Sequence, residues 1–215
     1  MRARTPAGRG RSEAVTQLRI VSGAFRNRRI TFPPGTIVRP TSERVREALF
    51  DILGPRIEGR TVLDAFAGSG ALGFEALSRG ARWVTFVEAD RNVAAAIRRN
   101  AANLEVERQS VVVEGLAERV INGRVSGAPF DLILADPPYD SPSRQGLLAL
   151  VAGAGVLVPD GSVVVERSRR SEPERDPAVG LRHVRTARYG DTCLDFYTIG
   201  SAGGDEAPGD SPDRP

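Results

Sequence analysis

The segment from Thr61 to Gly80 constrains the fold more than any other part of the chain. Thr61 to Phe66 is an apolar run that predicts a buried strand, and Ala67-Gly68-Ser69-Gly70 predicts a tight turn. Ala71 to Arg79 is then typical of a helix, which Gly80 is placed to end. A strand that passes through a glycine turn into a helix is the opening unit of a parallel sheet covered by helices.

The rest of the chain repeats this alternation of strand and helix. Strands are predicted at 83–88, 109–113, 130–135 and 161–166, and helices at 91–104 and 143–152. Near the C-terminus the pattern changes, because His183 to Arg188 and Cys193 to Ile199 flank Tyr189-Gly190-Asp191-Thr192 and predict an antiparallel hairpin. These elements together predict an α/β fold with a doubly wound, mostly parallel sheet of seven strands.

A second motif, Asp136-Pro137-Pro138-Tyr139, directly follows the predicted strand Phe130 to Ala135. It therefore lies at the carboxyl end of a strand, where open α/β sheets place their ligand crevice. Asp136 can accept one N–H of an exocyclic amine, and a carbonyl of the proline segment can accept the other. Tyr139 offers a flat face for an unstacked base. The motif predicts a catalytic site for methylating such an amine, although a strand-ending turn capped by the aspartate fits the same residues.

The glycine turn is compatible with two kinds of ligand. Gly68, Gly70 and Gly73 form a G-x-G-x-x-G pattern, and Glu88 follows at the distance of about 20 residues that a dinucleotide fingerprint has. A dinucleotide would bring an anionic pyrophosphate close to Asp64, which would repel it. S-adenosylmethionine instead carries sulfonium and ammonium groups that this carboxylate attracts. Charge therefore favours S-adenosylmethionine as the cofactor.

Other cofactor contacts are predicted at neighbouring strand ends. Glu88 can accept both ribose hydroxyls, and backbone N–H groups of Glu114-Gly115-Leu116, after the third strand, can read the adenine edge. Taken separately, Asp64 also fits a turn cap, Glu88 a solvated acid, and the third segment an ordinary strand exit. The predicted cofactor site comprises Asp64, Phe66, Gly68, Ser69, Gly70, Glu88, Ala89, Glu114, Gly115, Leu116 and Thr41.

Positive charge is concentrated at the N-terminal end. Residues 1–46 contain eleven arginines and two glutamates, although the net charge of the whole chain is only +3. This asymmetry is typical of nucleic-acid binding. Leu18 to Val21 and Arg29 to Phe32 predict two short strands, and Phe25 between them can stack on a base or simply pack. The predicted RNA contacts are Arg19, Phe25, Arg26, Arg28, Arg29, Arg39 and Arg44.

These patterns divide the chain into four parts. We expect a disordered basic tail at 1–17, a basic β-hairpin at 18–40, an α/β domain at 41–200 and a disordered acidic tail at 201–215. The domain begins with a helix predicted from Thr41 to Leu53, which Gly54 and Pro55 end.

Several residues predict structural features or the absence of a site. His183, the only histidine, lies far from the predicted crevice and is expected to be structural, and Arg167, Arg169 and Arg170 are expected to form a solvated edge. One cysteine excludes an intramolecular disulfide, and the chain shows no Cys or His cluster for a metal. Because no run of 18 apolar residues and no secretory signal pattern occurs, we expect a cytoplasmic protein that does not enter a membrane.

Three stretches together resemble the RsmD family of class I methyltransferases. They are Arg39-Pro40-Thr41-Ser42-Glu43-Arg44-Val45-Arg46-Glu47-Ala48-Leu49-Phe50, then Asp64 to Gly73, then Asp136 to Tyr139. The last two are shared by many amine methyltransferases, whereas the R-P-T and V-R-E-x-L-F pattern of the first is narrower. Tyr139 stands where some members carry phenylalanine, and both rings can stack.

The resemblance implies a Rossmann-like, S-adenosylmethionine-dependent enzyme that methylates guanine N2 in 16S ribosomal RNA. It also implies a monomer that acts on the assembled or assembling small ribosomal subunit. The segment Arg39-Pro40-Thr41 would close over the cofactor's methionine end or the target base, or it is simply the entry to a helix. Two other functions fit the same residues: an adenine-N6 DNA methyltransferase, and a non-catalytic RNA-binding or assembly factor on the same fold.

Overall fold

The computed structural model describes residues 16–34, 42–123, 125–137, 146–173 and 180–199. The strands are β1 (Thr16–Arg19), β2 (Arg29–Phe32), β3 (Thr61–Asp64), β4 (Trp83–Glu88), β5 (Ser110–Glu114), β6 (Phe130–Ala135), β7 (Leu157–Ser168), β8 (Leu181–Tyr189) and β9 (Thr192–Ile199). The helices are α1 (Glu43–Leu53), α2 (Ala71–Ser78), α3 (Arg91–Leu104), α4 (Ala117–Asn122) and α5 (Leu147–Ala154). Two short 3₁₀ turns lie at Gly54–Ile57 and Glu107–Gln109.

The seven-stranded sheet has the order β5-β4-β3-β6-β7-β9-β8. The five strands from β5 to β7 in this order are parallel, and β9 and β8 pair antiparallel. The predicted fold class and the C-terminal hairpin are therefore confirmed. Because β3 is hydrogen-bonded to both β4 and β6, the winding direction reverses at β3. Such a reversal opens a crevice at the carboxyl ends of the strands.

The core has two parts, one on each face of the sheet. Val62 and Leu132 point toward α1, α2 and α3, whereas their neighbours Leu63 and Ile133 point toward α4 and α5. Side chains of a strand alternate between faces, so a central strand covered on both sides is apolar at every position. This explains why the predicted central strands are continuous apolar runs.

The β1–β2 hairpin lies against α2 and α3, to which its main chain is hydrogen-bonded. The N–H groups of Val21 and Ser22 donate to the Glu75 carboxylate at 2.8 and 3.0 Å. Phe25 N–H donates to Ser78 Oγ at 2.9 Å. Asn100 accepts from Thr31 N–H at 3.0 Å and donates to the carbonyl of the same residue at 2.8 Å. Side chains of the domain thus replace the strand partner that the hairpin lacks.

A buried ion pair connects this hairpin to α1. Arg46 and Glu75 are 1% and 0% exposed, with 3.6 Å between Arg46 Nε and Glu75 Oε2. Arg46 Nη2 donates to the Arg19 carbonyl at 2.6 Å, and Arg79 Nε donates to Glu75 Oε1 at 2.9 Å. Burial lowers the pKa of Arg46, and the carboxylate opposes that effect. One carboxylate therefore joins the hairpin, α1 and the end of α2.

Three of the differences from the sequence prediction have identifiable reasons. Helix α1 begins at Glu43, because Ser42 is its N-cap and accepts from Val45 N–H at 3.2 Å. Helix α4 was not predicted, since six residues are too few for a visible helical period. Strand β7 is longer than predicted and takes in the exposed Asp160. The two predicted tails lie outside the described residues, apart from the start of β1.

The prediction of a solvated edge at Arg167 is wrong. Arg167 is only 4% exposed, and its Nε lies 2.5 Å from Asp195 Oδ2. Paired residues of β7 and β9 bring the two charges to the same face of the sheet, which local sequence does not reveal. Arg169 and Arg170 are exposed as predicted. His183 bonds to Thr186 Oγ1 at 3.1 Å and packs edge-on against Tyr197.

Replacing Glu75 with glutamine should loosen the hairpin and destabilise the protein. The Glu75→Gln side chain has the same size, but it leaves the buried Arg46 charge without its counterion. Removing one partner of a buried ion pair typically costs about 3–5 kcal/mol. We expect a lower free energy of unfolding in urea and faster hydrogen exchange at the amides of Val21 and Ser22.

The matched control is Glu47→Gln on α1, because Glu47 is exposed. We expect it to change the free energy of unfolding by less than about 0.5 kcal/mol. If Glu75→Gln were as stable as this control, Glu75 would not be the anchor of the hairpin.

Candidate functional site

The site is built where β3, β4 and β6 end side by side. Asp64, the last residue of β3, is in register with Phe86 of β4 and Leu134 of β6. The chain stays attached to both neighbours beyond the strand, since Ala65 N–H donates to the Leu134 carbonyl and Ala67 N–H to the Val87 carbonyl, each at 2.9 Å. The glycine turn and the ends of β4 and β6 therefore share one edge of the sheet.

The turn from Ala67 to Gly70 depends on glycine. Gly68 and Gly70 have φ angles of +52° and +78°, in the left-handed region that favours glycine. Gly70 N–H donates to the Ala67 carbonyl at 2.7 Å and closes the turn. At Gly73 the reason is space, because an added Cβ would lie 2.2 Å from a carbon of the Phe86 ring. This third glycine brings α2 close to β4.

Glu88 connects the turn to the next loop. Its Oε2 accepts from Gly68 N–H at 2.8 Å, and its Oε1 accepts from Asp90 N–H, also at 2.8 Å. Glu88 is half-buried, so it is not the fully solvated strand-end acid considered as an alternative. Each carboxylate oxygen has a second lone pair, which leaves capacity for the two ribose hydroxyls.

Asp64 is a buried carboxylate at the base of the turn. It is 1% exposed, and its Oδ2 accepts from Gly73 N–H at 3.0 Å. Burial raises the pKa of Asp64 to about 7; the Gly73 N–H opposes the shift, and the charge of Glu88 adds to it. A carboxylate with such a pKa gains strongly from a nearby cation, which would hold it in the charged form.

Asp136 and Pro137 follow β6 at the same edge of the sheet. Asp136 is half-buried and Pro137 is buried. Pro138 and Tyr139, the other two predicted catalytic residues, lie outside the described residues, as do Thr41 and Arg39. The structure therefore brings the first half of the Asp-Pro-Pro-Tyr motif to the edge that carries the glycine turn.

The end of β5 forms the far side of the crevice. Gly115 N–H donates to the Glu88 carbonyl at 3.0 Å, which extends the pairing of β4 and β5 past the strands. Leu116 is 50% exposed, unusual for a large apolar side chain in this domain, and lies directly before α4. The Glu114 side chain is paired with Arg98 at 2.6 Å. An exposed leucine beside a backbone edge suits a flat, partly apolar ring.

Three further residues were predicted to contact the cofactor. Phe66 and Ala89 lie beside the glycine turn, and Ser69 is buried within it. Phe66 is half-buried and packs against the core on the α4 and α5 face. Ser69 is 3% exposed, and Ala89 is exposed immediately after β4. These three residues therefore lie in or next to the turn, and their predicted contact with the cofactor stays a prediction.

The predicted RNA contacts lie on the hairpin and at the start of α1. Arg19 pairs with Glu43 at 2.7 Å, Arg28 donates to the Asn103 carbonyl, and Arg29 donates to Gln17 Oε1 at 3.1 Å. Arg26 and Arg44 are exposed. Phe25 is half-buried and packs against the core, so at least part of its ring serves packing.

Two kinds of site are not found in the part of the chain that the structure describes. No group of three or more His, Cys, Asp or Glu residues there could hold a metal ion. None of its helices has the length and apolar character needed to cross a membrane.

Comparisons with known proteins agree with this architecture. Residues 18–198 match the family model described as "Conserved hypothetical protein 95". A Bacillus subtilis protein named putative rRNA methyltransferase YlbH is 36% identical over 184 residues, which is 84% of this chain and 98% of that protein. Ribosomal RNA small subunit methyltransferase D of Escherichia coli is 38% identical over 154 residues, covering 70% of this chain and 74% of that protein.

A solved structure extends the likeness to three dimensions. The putative methyltransferase yhhF from Escherichia coli is 33% identical, has a TM-score of 0.75 and covers 86% of this chain and 98% of its own. The matched region includes the hairpin, the glycine turn and the Asp136 motif. The chain belongs to the conserved hypothetical protein 95 family, which is the family of the ribosomal RNA small subunit methyltransferase D proteins.

Proposed function

We propose that the protein is an S-adenosylmethionine-dependent methyltransferase that modifies the exocyclic N2 amine of a guanine in 16S ribosomal RNA. The observation that carries the proposal is the adjacency of β3 and β6. It brings a site suited to a cationic methyl donor next to a site suited to an amine. The names of the relatives in the family, ribosomal RNA small subunit methyltransferases, support the substrate.

The residues at the end of β3 fit the proposed donor. The turn at Gly68 and Gly70 lets a ligand approach the backbone, and the buried Asp64 carboxylate favours a cationic group. Each carboxylate oxygen of Glu88 has a second lone pair that can accept a hydrogen bond from a ribose hydroxyl. The exposed Leu116 side chain suits the adenine ring. S-adenosylmethionine, when bound, supplies an electrophilic methyl group on its sulfonium. A dinucleotide fits less well, because its pyrophosphate would face Asp64.

Asp136 orients the amine in this proposal. The lone pair of a guanine amine is delocalised into the ring, so the catalyst must direct it toward the methyl group. Asp136 accepts one N–H of the amine, a carbonyl of the proline segment accepts the other, and Tyr139 stacks on the flipped base. The amine would gain positive charge as its N–C bond forms and the bond from the methyl carbon to the sulfonium sulfur breaks, leaving a neutral thioether. The surplus proton of the amine would then leave through Asp136 or water. Catalysis then consists mainly of positioning, without a strong base before transfer.

The arginine-rich hairpin would hold the RNA. It is fixed to α2 and α3 rather than flexibly tethered, so Arg26 of the hairpin has a defined position in the domain, as does Arg44 on α1. Phosphate contacts of this kind position a nucleic acid without reading its sequence. The proposed substrate is the assembled or assembling small subunit, as the family resemblance implies.

The proposal is tested by offering the protein labelled S-adenosylmethionine with four acceptors: 16S RNA, small ribosomal subunits, large subunits and duplex DNA. We expect label in 16S RNA or in small subunits, and N2-methylguanosine after digestion to nucleosides and mass spectrometry. Label in adenine of DNA would instead indicate an adenine methyltransferase. Failure to bind the cofactor by calorimetry would favour a non-catalytic factor.

Changing Asp136 should slow methyl transfer while leaving cofactor binding intact. In Asp136→Asn the amide can still accept one hydrogen bond but cannot take up the surplus proton, and in Asp136→Ala the acceptor is lost. Misplacement of a reacting group by about 1 Å costs about 100-fold in rate. We therefore expect kcat to fall about 100-fold or more in Asp136→Ala and less in Asp136→Asn.

The matched control for this pair is Asp160→Asn, which changes an exposed aspartate in β7 outside the crevice. Its kcat should equal that of the wild type. Normal turnover by Asp136→Ala would show that Asp136 does not orient the amine.

Cofactor binding should strengthen as pH rises through the pKa of Asp64, which is about 7. Below this pH the carboxyl is mostly neutral and cannot attract a cation; above it the carboxylate is charged. Between pH 6 and 8 we expect the dissociation constant of S-adenosylmethionine to fall by about tenfold, the change expected for a group that titrates near 7. Calorimetry in two buffers of different ionisation enthalpy should show proton release on binding below pH 7.

The same raised pKa has an opposite effect on the stability of the ligand-free protein. Between about pH 4 and 7 the folded state binds more protons at Asp64 than the unfolded state, so stability falls as pH rises over this window. Asp64→Asn should remove this contribution and also flatten the pH dependence of cofactor binding. If the variant kept the wild-type pH dependence of binding, another group would be responsible.

A further inference from the structure

A second polar cavity lies at the carboxyl end of β7. Its volume is about 250 Å³, and its walls include Arg167, Arg169, His183 and Arg188. This is smaller than the roughly 300 Å³ or more of a typical small-molecule pocket. None of these residues belongs to the proposed donor site or to the β1–β2 hairpin. We refer to it as the β7-end cavity.

The lining of the β7-end cavity reaches the edge of the sheet at which Asp136 lies. Strands β6 and β7 are parallel neighbours, and Ala135 of β6 is opposite Val165 of β7. Asp136 and Arg167 therefore follow these paired residues at the same edge, on strands about 4.8 Å apart. Arg167, Cys193 and Arg188 form one row across β7, β9 and β8. The cavity is thus on the β7 side of the proposed methyl-transfer site.

The floor of the cavity is a fixed polar network. Asp195 is 1% exposed and is paired with Arg167, and it also accepts from Thr186 Oγ1 at 2.6 Å. The Arg167 guanidinium donates further to the carbonyls of Ser168 and Ser171, which fixes the turn after β7. The charge of Asp195 is therefore neutralised inside the floor, and it does not oppose a bound anion.

Two arginines at the cavity wall have no such partner. Within the described residues, the guanidinium groups of Arg169 and Arg188 make no ion pair or hydrogen bond, and both residues are exposed. The backbone of each is held in place: Arg169 N–H donates to the Asp191 carbonyl at 2.8 Å, and Arg188 is in the β8–β9 ladder. His183 and Glu172 also line the cavity, and Glu172 has interactions of its own. The unpaired guanidinium groups of Arg169 and Arg188 therefore line a partly enclosed space near the sheet edge that carries Asp136.

We propose that the β7-end cavity binds a backbone phosphate of the RNA strand beside the nucleotide that is methylated. This inference rests on the proposed function. Arginine is suited to the task, because its planar donors match two phosphate oxygens. A base that leaves its stack must be held by its flanking backbone, and a phosphate contact next to the crevice would fix the strand in that position.

The test compares the double variant Arg169→Gln/Arg188→Gln with the wild type in steady-state methylation of the RNA substrate. We expect KM for RNA to rise about tenfold, as loss of charged hydrogen bonds predicts, with kcat and the dissociation constant of S-adenosylmethionine little changed. The dependence of log(kcat/KM) on log salt concentration should become shallower by about 1 to 2 for two lost phosphate contacts. Arg169→Lys/Arg188→Lys should recover part of the affinity.

The matched control is Arg82→Gln/Arg182→Gln, which removes two exposed arginines at the opposite, amino edge of the parallel strands. It should leave KM and the salt dependence unchanged. A wild-type enzyme that methylates RNA, with an Arg169/Arg188 double variant of normal KM and salt dependence, would overturn the inference and leave the proposed function intact. A weaker affinity for S-adenosylmethionine in place of a higher KM for RNA would also overturn it, because the cofactor would then occupy the cavity.

Discussion

The site depends on the position of β3 between β4 and β6. Because the three strands are parallel and in register, their carboxyl ends finish at one edge, where the winding of the sheet reverses. Each strand contributes one acidic residue there, namely Asp64, Glu88 and Asp136. The raised pKa of Asp64 is caused mainly by its burial, and repulsion by the charge of Glu88 adds to it. A cationic ligand would relieve the repulsion.

Two buried ion pairs outside the site hold other parts of the chain in place. Glu75 is buried and holds the hairpin and α1 on α2, while Asp195 is buried and holds the turn after β7. Each carboxylate has an arginine as its ion-pair partner, Arg46 in the first case and Arg167 in the second. Breaking such a buried pair is costly, which makes both attachments rigid. The proposed RNA-binding groups are therefore mounted on two fixed attachments, one against α2 and α3 and the other at the end of β7.

Much of the fold could be predicted from the sequence because its signals are local. The strand from Thr61, the glycine turn and the helix that follows are one continuous segment, and the helix from Arg91 to Leu104 shows a clear helical period. The buried arginines could not be predicted in this way. Arg46 and Arg167 are charged residues whose partners are 29 and 28 positions away in the chain, and only the folded sheet brings them together.

For the candidate site, the positions of the residues could be predicted from the sequence, but their surroundings could not. Which residues stand at strand ends follows from the pattern, so Asp64, Glu88 and Asp136 were predictable. Their environment was not: the burial of Asp64 depends on α2, and the contact of Glu88 with the turn depends on the spacing between β3 and β4. No sequence motif indicates the β7-end cavity, because its lining residues come from three strands and a turn.

The manner in which the hairpin is attached affects how freely its sequence can vary. At Val21, Ser22, Phe25 and Thr31 the bonds to the domain are made by main-chain groups. Most side chains at the hairpin tip could therefore be exchanged without loosening the attachment. The exceptions are Phe25, which packs against the core, and Gly23, where a Cβ would collide with the Ser78 carbonyl. The exposed side chains of the hairpin can in this way change while the same main-chain bonds keep it attached to the domain.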